Sequence, residues 1–175
     1  MKKIADFLTA SRLLISLVIV VMGFIWGVNA LPALIYLLII GWTTDVLDGM
    51  LARLEKKPYD SWFGKNEFNI DMVMTWSAFF FLTLIGIIPL WLFVVYSLLP
   101  LILTYFFHSK TLVMSFAAPL SFLPLYISLS RSMVEGYIYL VWIIIMLIFN
   151  WKRFTFVVSS FVDGLTFLKR RGQKI

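Results

Sequence analysis

No cysteine occurs among the 175 residues, so disulfides and thiolate metal sites are both excluded. Histidine occurs once, at His108, which leaves no second imidazole for a zinc site. Charge is scarce as well. Asp, Glu, Lys and Arg make up 14% of the chain, against about 25% in a soluble domain. There is no internal repeat, low-complexity tract or second domain. What is present is apolar: 62% of the residues are hydrophobic and 18% aromatic. That composition predicts an integral membrane protein. The net charge of +6 could suit a nucleic acid, but its distribution along the chain points to the lipid surface.

Six apolar segments are legible, at about 13–28, 31–52, 67–88, 89–107, 111–130 and 134–151. At about 1.5 Å per residue each covers most or all of a hydrocarbon core roughly 30 Å thick. Val28-Asn29-Ala30 gives the first segment the form of a cleavable signal peptide, but five more apolar segments follow and the first is read as retained. With the N-terminus inside, fourteen of the fifteen Lys and Arg residues fall on the cytoplasmic side, and Arg131 alone falls outside. The expected fold is therefore all-α and integral to the membrane: an interfacial segment over 1–12, a six-helix bundle over 13–151 and a basic amphipathic tail over 152–175, with both termini cytoplasmic. Pro100, Pro119 and Pro124 fall inside apolar segments, where they are expected to kink helices and open space between them.

Nine acids occur in the chain, and Asp45, Asp48, Glu67 and Asp71 sit at the facing ends of the second and third segments. Asp45 and Asp48 are three apart and Glu67 and Asp71 four apart, so each pair shares a helix face. A short connection makes the two helices antiparallel neighbours, and four carboxylates can then converge. Each costs about 2.5–3.5 kcal/mol at mid-bilayer, against a total stability of roughly 5–15 kcal/mol. Positive charge has to compensate. Hard divalent cations, Mg²⁺ or Mn²⁺, suit an all-oxygen site. For any single acid, pairing with Arg53 or a position at a helix end accounts for it equally well; the set of four favours convergence. Gly49 and Ala52 leave room beside the acids for a ligand or for a neighbouring helix. Arg53 stands at headgroup depth, as an anchor or a phosphate ligand.

The string Asp45-x-x-Asp48-Gly49-x-x-Ala52-Arg53, followed by Gly64, Glu67 and Asp71, resembles the signature of the CDP-alcohol phosphatidyltransferase family, D-x2-D-G-x2-A-R-x8-G-x3-D-x3-D. The first half matches throughout. In the second half, ten residues separate Arg53 from Gly64, two separate Gly64 from the next acid, and that acid is Glu67. Leu8-Thr9-x-x-Arg12 is similar to the family's N-terminal L-T-x-x-R stretch. The resemblance implies transfer of a phosphatidyl or similar group from a CDP-linked donor such as CDP-diacylglycerol to an alcohol, with release of CMP. It implies two divalent ions held by Asp45, Asp48 and Glu67, with Asp71 as a further ligand and general base. It places Gly49, Ala52 and Arg53 on the nucleotide side and suggests a homodimer in a bacterial inner membrane, its active site facing the cytoplasm.

An acceptor carrying a phosphate needs cations nearby, and Lys110 and Arg12 are the candidates. The chain's small size is like that of phosphatidylglycerophosphate synthases, which makes glycerol 3-phosphate the expected acceptor, with inositol phosphate, serine or another lipid's hydroxyl as alternatives. Three other classes compete: a prenyltransferase, an inactive member of the same family, and a transporter relaying cations or protons through intramembrane acids.

Overall fold

The computed structural model describes residues 2–54, 61–107 and 110–172. Seven α-helices account for nearly all of them, and no strand occurs among the described residues. They are α1 Lys2–Trp26, α2 Leu31–Leu54, α3 Trp62–Leu84, α4 Leu90–Phe107, α5 Lys110–Arg131, α6 Met133–Phe149 and α7 Trp151–Gly172. The helix positions follow the apolar segments of the sequence. Helix α1 runs unbroken from Lys2 through Arg12 into the first apolar segment, since no Pro or Gly interrupts the stretch from Lys2 to Val21, and α3 begins at Trp62, five residues before the expected segment.

The connections are short and chemically defined. Between α1 and α2 a single 3₁₀ turn, Gly27–Ala30, reverses the chain, and Gly27 supplies the positive φ of +54° it requires. Gly86, at φ +75°, does the same between α3 and α4. The reversal at Gly27 is complete, since the Thr9 hydroxyl on α1 meets Asp48 on α2, 39 residues further on. At the start of α3, Ser61 caps the helix by accepting from the Gly64 backbone N–H at 3.0 Å. The Ser61 hydroxyl also donates to Asp6 on α1 at 2.6 Å, which fixes the start of α3 against α1.

Helix α1 lies between α2 and α3, and the core forms where the three meet. Ile15, Ile19 and Met22 recur on one face of α1 at helical spacing and pack with Leu34, Ile35 and Leu38 of α2 and Met74, Ala78, Phe81 and Leu82 of α3. Gly41 lets α2 settle here, for a Cβ at that position would stand 2.5 Å from Met74 Sδ. Farther out, Trp142 Nε1 of α6 donates to Thr43 of α2 at 3.1 Å, and Trp76 Nε1 of α3 donates to Ser97 of α4 at 3.0 Å. Such polar clamps suit helices that gain nothing from hydrophobic association in lipid. Pro100 and Ser97 of α4 line a cavity of about 460 Å³ between α3, α4 and α5, together with Trp76 of α3.

The outer surface is as apolar as the core. Leu14, Leu17, Val21, Phe24 and Ile25 line the outer face of α1, and Val134, Val141, Ile144, Ile145 and Ile148 that of α6, all exposed. A water-soluble monomer rarely exposes apolar patches on this scale. Lys3–Leu51, folded into its hairpin, and Val113–Arg131 are apolar and long enough to cross a membrane. The bent pair Met133–Phe149 with Phe154–Gly164 meets the same test taken together.

Helices α5 and α6 are joined so tightly that Gly136 has no room for a side chain. A Cβ there would stand 2.7 Å from the Leu129 backbone nitrogen, and backbone cannot yield as a side chain does. Gly136→Ala is expected to lower stability by about 1–3 kcal/mol, the usual cost of overpacking. Denaturation of the purified protein in detergent measures it; an unchanged midpoint would show that the hairpin can open.

Candidate metal and transfer site

The four acids come together through local helix geometry followed by packing. Asp45 and Asp48 project from one face of α2 and Glu67 and Asp71 from one face of α3, as their three- and four-residue spacings require. Carboxylate oxygens of Asp45, Glu67 and Asp71 lie within 4.8 Å of one another. Asp48, 4% exposed, joins them from the deeper side, through groups that α1 supplies.

Helix α1 contributes the centre of the site. Arg12 is fully buried. Its Nη1 donates to Asp45 Oδ1 at 2.8 Å and to Asp71 Oδ1, and its Nη2 donates to Asp48 Oδ2. The sequence reading expects Arg12 beside an acceptor's phosphate; in the structure its guanidinium engages three carboxylates. The physical reason is the cost of unpaired charge in a low-dielectric bundle, which draws the nearest cation inward. Deleting one partner of a buried pair typically costs about 3–5 kcal/mol, so Arg12 holds the cluster together unless another cation takes its place.

Thr9 is the member that sequence reasoning passed over. Its hydroxyl donates to Asp48 Oδ2 at 2.8 Å and accepts from Arg12 Nη2 at 3.3 Å. The signal was present in Thr9-x-x-Arg12, a three-residue spacing that places both side chains on one helix face, but nothing in the chain's local pattern says which acids that face will meet. Ser16 donates to the Arg12 carbonyl one turn further on, within the buried face of α1.

The remaining expected residues are placed less closely. Gly49 follows Asp48 on α2 and is half-buried. Ala52 and Arg53 belong to the last turn of α2 and Lys110 opens α5, but the side chains of all three lie outside what the structure describes, as does His108 altogether. Asp45 also borders a cavity of about 310 Å³ walled by Val46, Trp142, Ile143, Met146, Leu147, Asn150 and Phe154. An acidic cluster thus opens onto an apolar hollow between α2, α6 and α7.

The profile of the CDP-alcohol phosphatidyltransferase family matches residues 2–162. The chain belongs to that family. No individual curated protein and no solved structure matches it. The family is one of membrane-integral phosphotransferases of phospholipid biosynthesis, which use a CDP-alcohol donor and an alcohol acceptor. The family is divalent-metal dependent, and the residues present here fit that requirement. The donor set is all oxygen, three carboxylates already share one locus, and Asp48 Oδ1 is buried with no hydrogen-bond partner among the described residues. The altered spacing around Gly64 does not prevent this. Gly64 lies in the capped first turn of α3, so the missing residue turns Gly64 relative to the acids and leaves Glu67 and Asp71 on their common face.

Thr9→Val removes a hydroxyl of nearly the same volume and leaves Asp48 Oδ2 and Arg12 Nη2 each one partner short. The expected loss is about 1–3 kcal/mol of stability with helix content unchanged. Circular dichroism with chemical denaturation tests it, and wild-type stability in the variant would show that water substitutes for the hydroxyl.

Proposed function

We propose that this family member transfers the phosphatidyl group of CDP-diacylglycerol to the hydroxyl of a small phosphorylated alcohol, glycerol 3-phosphate, and releases CMP. One observation carries the proposal: Asp45, Glu67 and Asp71, from two helices, present oxygens to a single locus beside an apolar cavity that Asp45 borders. A donor with a charged pyrophosphate and two acyl chains needs both surfaces in one place. The membrane reading that accompanies it is six passes with both ends cytoplasmic, supported by the α1–α2 reversal, the exposed apolar faces of α4 to α6 and the one-sided distribution of Lys and Arg. A homodimer in a bacterial inner membrane, expected from the resemblance, belongs to the same proposal.

In this mechanism Asp45, Asp48, Glu67 and Asp71 would hold two divalent cations, Mg²⁺ or Mn²⁺. When bound, these neutralise the charge of the pyrophosphate and of the departing CMP. The chain's own groups do the rest. Asp71 accepts the proton of the acceptor hydroxyl. The hydroxyl oxygen forms a bond to the phosphatidyl phosphorus, the bond from that phosphorus to the bridging oxygen breaks, and CMP leaves with the electron pair. Gly49, Ala52 and Arg53 are assigned to the nucleotide and Lys110 to the acceptor's phosphate, as expected from the sequence. Trp142, Ile143, Met146 and Leu147 give the acyl chains an apolar wall and keep water from the reacting phosphorus.

Purified protein given CDP-diacylglycerol and a mixture of glycerol 3-phosphate, inositol phosphate and serine should release CMP only when Mg²⁺ or Mn²⁺ is present. Mass spectrometry should identify phosphatidylglycerophosphate as the lipid product. A different product would reassign the acceptor, and no CMP with any alcohol would mark an inactive member. Asp71→Asn should lower turnover by about 10²–10⁴-fold, the span of a general base, while the protein remains folded. Full activity in that variant would refute the role given to Asp71.

A further inference from the structure

The mechanism above gives no task to the cation at the centre of the cluster. Arg12 is wholly buried, and its guanidinium already occupies the oxygens that a metal would need: Asp45 Oδ1 and Asp71 Oδ1 through Nη1, and Asp48 Oδ2 through Nη2. We propose that Arg12 is an internal counter-ion, which fills the carboxylate cluster in place of the divalent cations and is displaced when they bind. Arg12 then sets how tightly, and in exchange for what, the site takes metal. The proposal rests on the assignment of these carboxylates as metal ligands.

Three features of the site support exchange over permanent occupancy. The first is charge. One guanidinium, carrying a single positive charge, donates to Asp45, Asp48 and Asp71, with Glu67 beside them. Two divalent ions supply four charges at the same place. The second is geometry. Oxygens sharing one Mg²⁺ at about 2.0–2.1 Å stand no more than about 4.2 Å apart. Oxygens of Asp45, Glu67 and Asp71 lie within 4.8 Å of one another, and Arg12 Nη1 is bonded to both Asp45 Oδ1 and Asp71 Oδ1, so the guanidinium stands where a shared cation would bind. The third is incompleteness. Arg12 Nε and Asp48 Oδ1 are both buried and have no hydrogen-bond partner among the described residues. A guanidinium matched to its acceptors as a fork would satisfy both. Arg12 is held by charge, and a stronger charge can take its place. Its backbone stays fixed meanwhile, since Ser16 bonds the Arg12 carbonyl within α1, so displacement is a side-chain movement and the released guanidinium remains tethered beside the cluster.

The test compares full-length wild-type protein with Arg12→Gln in detergent or nanodiscs, with Mn²⁺ binding read by electron paramagnetic resonance. Removing the competitor should tighten Mn²⁺ binding by about tenfold or more, equivalent to at least about 1.4 kcal/mol. The variant's melting temperature should fall in EDTA and recover with Mn²⁺ by more than the wild type gains. Arg12→Lys, which keeps a charge but loses the multiple donors, should fall between the two. Equal or weaker Mn²⁺ binding by Arg12→Gln would overturn the counter-ion role while leaving the metal assignment intact. Absence of binding by both folded proteins would overturn the metal assignment itself. Should Arg12→Gln fail to fold, labelling of wild-type protein with phenylglyoxal decides: Arg12 should be protected in EDTA and become reactive with Mn²⁺. Unchanged labelling would overturn the proposal.

Discussion

Carboxylates in a lipid-embedded bundle have to be met by positive charge, and the arrangement of the first three helices follows from that requirement. Asp45, Asp48 and Asp71 are drawn to one guanidinium, that of Arg12, and the three elements carrying these residues pack around it. Apolar side chains alone would not select this arrangement, because helices surrounded by lipid gain little from burying one leucine against another. Charge pairing gives register where hydrophobicity cannot. The Thr9–Asp48 bond and the Ser61–Asp6 bond extend the same principle to either side, aligning α1 with α2 and with the start of α3.

The remaining helices build a setting for that centre. Helices α4 to α6 are apolar on both their inner and outer faces, and a few polar clamps hold them, such as Trp142 to Thr43 and Trp76 to Ser97. Because the clamps are sparse, hollows persist between the helices. One of these lies against Asp45, and its wall is almost entirely hydrophobic. The site therefore sets charged and apolar surface side by side. The same low-dielectric surroundings that make the cluster costly also strengthen every interaction it makes with a bound cation or phosphate.

The departure from the family signature is absorbed by where it falls. Extra length between Arg53 and Gly64 lies in the connection between α2 and α3, and the residue lost between Gly64 and Glu67 lies in the first turn of α3. Neither alters the four-residue step from Glu67 to Asp71, which is what sets their common face. A glutamate reaches one methylene farther than an aspartate, and Glu67 still brings an oxygen to the locus shared by Asp45 and Asp71.

Much was legible before any coordinates. Runs such as Leu31–Trp42 announce helices in lipid because period, length and hydropathy are local properties, and the paired spacings of the acids announce two charged faces for the same reason. That Asp45 and Asp71 would meet was readable from their mutual cost, but the direct α2–α3 neighbourhood expected from the short connection gives way to α1 lying between the two helices. The role of α1 was not. Arg12 and Thr9 are separated from their partners by 33 to 59 residues, and no local pattern encodes which of several cations a buried carboxylate will capture. Sequence determined the material, the helices and the faces that carry charge. Only the tertiary structure decided that α1 would lie between α2 and α3 and set its arginine among the acids, because pairing across helices depends on three-dimensional proximity and on the expense of leaving any buried charge alone.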